Sequence, residues 1–522
     1  MRAGSRLWLL GADLGFGMSP GAKTPYEVFK PIRNLLGKFD RVSLAVEAAT
    51  KLHEVEVRPV QEWRTWCPWL LLLLIKWGFE FGGSQYPPRA VGERDLVRLI
   101  NKLHDFEGVC GSPFLGGDRS QPMKFLRTKA YQQFWMQTVL GAWDLVRELV
   151  LFSRLPPEHP FRAQLINHVG LGMDEFAELA LALWAWLEKT PANIRFNPDT
   201  LFGNLKVPAD TKASFIDALA LQPEDVTRFL GERSQRVENP CFQLSEPSPL
   251  DQYPLLALGE DQLVYSKRLF GWTVSHFFYE QARRIGGSEG AELVARLLEE
   301  YVAESLASVP MAFCGESELR GAFPSRKVTD FVVPRDDVTL LVEVKATEMR
   351  PSVIVFPANE QLIRELRDSV VKAAVQGYSL ANNLTKSSAG LDITNRSEFF
   401  LFILTYKDMY LGPGQPMWDE FLGEAVGSTL KSEGIDPQVM PPERIVVLSL
   451  REWDVLMSIL RTDPTLLARI LREMVVNNRN PTTAKFAFIQ HLIPHVPAQP
   501  KLPYLDEESD RLFASLQAKM SS

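Results

Sequence analysis

Three side chains in the C-terminal half have the types and spacing for divalent-cation chemistry: Asp330 in VTDFVV, and Glu343 and Lys345 in LLVEVKA. Both segments read as β-strands, with only Pro334, Arg335, Asp336, Asp337 and Val338 between them as turn material. A tight antiparallel hairpin centred on Asp336-Asp337 sets Asp330 opposite Glu343, with Lys345 on the same face two residues on. Like charges facing each other across a strand pair repel, so the arrangement calls for a cation. A hard divalent ion with oxygen ligands is the natural candidate.

An Asp followed at some distance by Glu-x-Lys is, by itself, a common coincidence in a chain of 522 residues, and usually marks solvated surface charge. Context separates this instance from the rest. Glu343 and Lys345 interrupt an apolar strand, where burying charge is costly. Two charges on one face of such a strand are either exposed on an edge or functional.

The elements that must position these residues follow from patterning. The length suggests two to four domains, and 46% hydrophobic with 23% charged residues is ordinary for a folded chain. A net charge of −7 argues against non-specific coating of nucleic acid, although a local groove can still be basic. Residues 1–235 read as mainly α-helical, with long apolar faces over Trp66–Phe81, Glu93–Leu103, Ala130–Phe152 and Asp174–Glu188. The tryptophans concentrated there stand at helical spacing in apolar runs, as core residues do. This region is expected to hold a protein partner or self-associate. A polar, proline-containing stretch at 236–254 is the expected linker, and 255–522 the expected second domain with a helical C-terminal extension. There, helices, the Asp330/Glu343 hairpin, a helix over Asn359–Asn383 and the apolar strands Phe399–Tyr406 and Arg444–Leu450 predict a mixed sheet flanked by helices, an α/β domain.

The set Asp330, Glu343-Val344-Lys345, on a hairpin between two helices, resembles the active-site signature of the PD-(D/E)XK nuclease superfamily, the restriction-endonuclease-like enzymes. The resemblance covers roughly residues 255 to 410, with Thr329 where the family has proline. It implies a Mg²⁺-dependent endonuclease, with Mn²⁺ as a possible substitute, acting on nucleic acid, DNA before RNA, in the manner of bacterial anti-phage defence nucleases. Asp330, Glu343 and the Val344 carbonyl are the implied metal ligands, and Lys345 the group that orients the attacking water. Family members often carry a glutamate on the preceding helix. Glu299, in Leu298-Glu299-Glu300-Tyr301-Val302, takes that place, with Glu316 and Glu318 as competing acids. Gln376, with Lys372 one turn away in VVKAAVQGY, matches the polar position that several branches place on the following helix.

Other chemistries find little footing. His491 and His495 are spaced i, i+4, but the intervening Pro494 spoils the helix a metal site would need. Cys67, Cys110, Cys241 and Cys314 are scattered without a CxxC pair, so neither a zinc site nor a disulfide framework is expected. No phosphate-binding P-loop, GxSxG elbow or dinucleotide fingerprint is present. The N-terminal stretch lacks the sustained apolar region of a signal peptide, and Cys67–Ile75 is too short to span a bilayer, so the expected location is cytoplasmic with no membrane contact. A different class of function, a non-catalytic scaffold with a nuclease-derived binding module, would have little reason to retain the complete Asp, Glu, Lys set.

Overall fold

The computed structural model describes residues 24–111, 121–190, 192–233, 240–324, 326–350, 353–354, 359–387 and 398–520. The N-terminal stretch weighed as a signal peptide and the start of the expected linker lie outside them. Two compact units emerge. The first comprises 1–149, 155–285 and 508–522, and the second 150–154 and 286–507.

The division therefore falls at Ile285/Gly286 and not in the expected linker at 236–254. Described residues of that stretch are core: Pro240, Leu244, Pro249 and Leu250 are buried, the two leucines in the same cluster as the N-terminal helices. The hairpin that follows also belongs to the first unit. Its strands β3 (Leu255–Leu258) and β4 (Asp261–Val264) join β1 (Arg195–Phe196) and β2 (Ala220–Leu221) in a sheet of order β1-β4-β3-β2. The Val264 carbonyl contacts His53 Nε2 at 3.1 Å, and Glu56, on the helix Arg41–Glu56, accepts from Ser266 Oγ and from Lys267 N at 3.1 Å. These buried polar links fix the hairpin to the N-terminal helices.

Apolar patterning accounts for the rest of this unit. The run Cys67–Ile75 begins at the residue preceding the helix Pro68–Phe81 and continues into it, and Leu70 to Phe79 are buried. Trp63 and Trp77 are enclosed, their indole N–H groups donating to Val55 O at 3.0 Å and Gln243 Oε1 at 2.5 Å. The single helix expected over Ala130–Phe152 is two, Gln121–Gln137 and Ala142–Phe152. Gly141 sits in the break, its N–H donating to Asp144 Oδ2 at 2.8 Å. Cys110 and Cys241 form a disulfide, contrary to expectation. Partners 131 residues apart in sequence leave no spacing signal that could announce them.

The second unit carries a five-stranded mixed sheet of order β5-β6-β7-β8-β9. These strands are β5 (Cys314–Gly315), β6 (Phe331–Arg335), β7 (Val338–Lys345), β8 (Glu398–Thr405) and β9 (Ile445–Ser449). The first three are antiparallel, and β7, β8 and β9 run parallel. The turn is tighter than the expected five residues: only Asp336 and Asp337 connect the strands, with Asp336 at φ 53°. Asp tolerates that conformation better than most residues. Pro334 fits inside β6 because β5 pairs only Phe331 and Val332, so no neighbouring strand needs its missing N–H. The helix expected over Asn359–Asn383 is Asn359–Leu366 and Lys372–Lys386 joined by a π-helical turn. No helix among the described residues is long and apolar enough to cross a membrane.

Candidate active site

Hairpin register decides which side chains meet. Phe331 pairs with Val342 and Arg335 with Val338, so one further step sets Asp330 opposite Glu343. The chains stay together there: Val344 N–H donates to Asp330 Oδ2 at 2.6 Å. A residue's N–H and C=O leave a strand on the same edge, so the Val344 carbonyl also faces the Asp330 side of β7. Lys345, on the face of Glu343, donates through Nζ to Glu343 Oε1. Asp330, Glu343, Val344 and Lys345 thus gather at one end of the ribbon, as the spacing predicts.

The electrostatics are those of crowded acids. Glu343 is 1% exposed, and burial followed by the Asp330 charge pushes its carboxyl up to about 7, against the pull of Lys345 and Gln376. Burial also raises Asp330, opposed by the Val344 N–H and by Lys345. Glu343 Oε2 is buried with no hydrogen-bond partner among the described residues. A carboxylate oxygen left bare beside a second carboxylate is a place where a cation gains most.

Glu299 joins the group from the helix Phe277–Ala307, which is broken at Gly287 (φ 52°, ψ −134°). Burial first, then the charges of Asp330 and Glu316, drive its carboxyl up to about 7, with Lys345 opposing. Gln376 approaches from the other side, its Nε2 donating to Val328 O at 3.0 Å while its Oε1 is buried without a partner. Lys372 does not join them: it is exposed, and no contact ties it to the carboxylates among the described residues. Glu318 is likewise diverted, accepting from Gly315 N at 2.9 Å.

Glu316 is better placed than its sequence suggests. Cys314 pairs with Val332 and Gly315 with Phe331, the neighbour of Asp330, and Glu316 opens the helix that follows. Glu316 thus adds a third acid beside the Asp330/Glu343 pair, its charge acting on both Asp330 and Glu299. The two-residue β5 that brings Glu316 there is too short for sequence periodicity to announce.

Among the described residues no three His, Cys, Asp or Glu side chains cluster closely enough to hold a metal ion by themselves. Mg²⁺ does not require such a cage, since it keeps several waters and binds through one or two carboxylates. Two mutually repelling buried acids, a backbone carbonyl on the same edge and a buried oxygen without a close hydrogen bond fit that ion. His491 and His495 are spent elsewhere, on Asn478 Oδ1 at 3.2 Å and Glu473 Oε2 at 3.1 Å. The chain matches no known family model, and neither its sequence nor its fold has a significant match among curated proteins or solved structures.

Proposed function

We propose that this protein is a Mg²⁺-dependent nuclease of the PD-(D/E)XK kind, hydrolysing phosphodiester bonds in DNA. The observation that carries the reading is the hairpin register, which sets Asp330 against Glu343 with Val344 bonded to Asp330 and Lys345 bonded to Glu343. Asp330, Glu343 and the Val344 carbonyl would hold the ion. When bound, Mg²⁺ supplies charge stabilisation at the scissile phosphate and lowers the pKa of water.

The chain's own residues do the remainder. Lys345, on the face of Glu343, would orient the attacking water and offset charge gathering on the phosphate. Glu299, on the preceding helix among these acids, would help hold the water shell of the site. Gln376 steadies the Glu343 side of the site and the strand entry at Val328.

The test is incubation of the full chain with duplex and single-stranded DNA and RNA, with Mg²⁺, Mn²⁺ or chelator. Cleavage is expected with either metal and none with chelator. Asp330→Ala and Lys345→Ala are each expected to lower the rate by about 10²-fold or more while the circular dichroism spectrum is unchanged. A wild-type protein inert on every substrate, or full activity in either variant, sinks the reading.

A further inference from the structure

The acids of this site have a cationic neighbour that the metal chemistry does not use. Arg320 lies on the helix Glu316–Ala322, which begins where β5 ends, and it grips Glu316 one turn away through Nε at 2.9 Å and Nη2 at 2.6 Å. Gly315, which precedes Glu316, pairs with Phe331, the neighbour of Asp330, so the pair stands beside the site, and both charges act on Asp330. The Arg320 side chain is 64% exposed even though both donors are aimed at Glu316.

Charge balance says what such a residue is for. Asp330, Glu343, Glu299 and Glu316 are answered only by Lys345 and Arg320 among the groups acting on Asp330 and Glu299, apart from Glu300, a further acid. A polyanion approaching that surface needs positive charge outside the metal position. Lys345 is largely enclosed and already assigned to the phosphate that is cut, whereas the Arg320 guanidinium faces solvent. Its planar fork matches two phosphate oxygens as well as it matches a carboxylate.

We propose that Arg320, held in place by Glu316, is a substrate-binding residue that grips a backbone phosphate of the polynucleotide next to the one that is cut. The inference rests on the nuclease reading. It assigns Arg320 to positioning the strand and Glu316 to presenting the guanidinium, and gives neither a role in bond breaking. Contacts of this kind fix register on the backbone without reading sequence.

Binding and cleavage separate the outcomes. Fluorescence anisotropy with end-labelled DNA and RNA oligonucleotides, in the cleavage-deficient Lys345→Ala protein, measures affinity across a salt series. Adding Arg320→Ala is expected to weaken binding by about 10- to 100-fold, as loss of a charge-assisted hydrogen bond does. It is also expected to shrink the slope of log affinity against log salt by about one unit. Arg320→Lys is expected to recover the slope but only part of the affinity. Glu316→Gln is expected to cause a smaller loss. In otherwise wild-type protein Arg320→Ala is expected to raise KM more than it lowers kcat. If the wild type cleaves while Arg320→Ala binds equally well, or binds less well with the same salt slope, the inference fails alone. If the wild type neither binds nor cleaves, the nuclease reading fails and takes this one with it.

Discussion

Buried carboxyl groups in this protein serve two purposes, and their partners tell them apart. Glu343 has one oxygen on Lys345 and no close hydrogen bond on the other, with the Gln376 amide acting on the carboxyl from nearby. Glu452 is also buried, yet both oxygens take backbone N–H groups: Ser449 N at 3.0 Å and Ile489 N at 2.7 Å. The first leaves room for a ligand, and the second stitches a C-terminal segment to the start of the helix Leu450–Thr462. Burial, then the charge of Asp408, pushes Glu452 up to about 8. A carboxyl raised in the folded state favours the protonated form. Its contribution is complete below about pH 4.5, its unfolded value, and is lost as pH climbs toward about 8. Thermal melts from pH 5 to 9 should show the wild type losing stability across that window. Glu452→Gln, which keeps the acceptor oxygen for Ile489 and cannot ionise, should flatten the decline. An equally steep decline in the variant would remove Glu452 as its source.

At the scale of elements, the site depends on a close approach of helix to sheet. A Cβ built on Gly377 would lie 2.7 Å from Leu401 Cδ2, a fully buried side chain of β8. Glycine therefore lets the helix Lys372–Lys386 sit low on β8, and the adjacent Gln376 reaches Val328 as a result. Gly377→Val should force the helix outward, costing about 1–3 kcal/mol in urea unfolding, as overpacking does. It should also lower kcat by about tenfold, since small displacements of positioning groups are expensive. Normal activity together with the stability loss would mean that Gln376 takes no part in the reaction.

At the scale of the whole molecule, the chain is two units with different fastenings. The disulfide Cys110–Cys241 lies in the first, which also holds Trp63, Trp77 and Trp135 in its core. A bond closing a loop of that length stabilises by about 2–4 kcal/mol. Tryptophan fluorescence should therefore show an earlier denaturant midpoint in reductant, or in Cys110→Ser with Cys241→Ser. A midpoint indifferent to reductant would show that the two thiols contribute nothing as a covalent link.

The sequence by itself determined the ribbon that carries Asp330, Glu343 and Lys345. Strand alternation has a period of two and the connection is short, so one turn position sets every pairing. The apolar runs of β8 and β9 likewise declared themselves as buried strands. Only the tertiary structure decided what comes to that ribbon from far along the chain. It ties Gln376 to Val328, brings Glu316 beside Asp330 through a two-residue strand, leaves Lys372 outside and assigns the hairpin at 255–264 to the first unit. Long-range partners are chosen by packing across many elements at once, and local spacing carries no record of that choice.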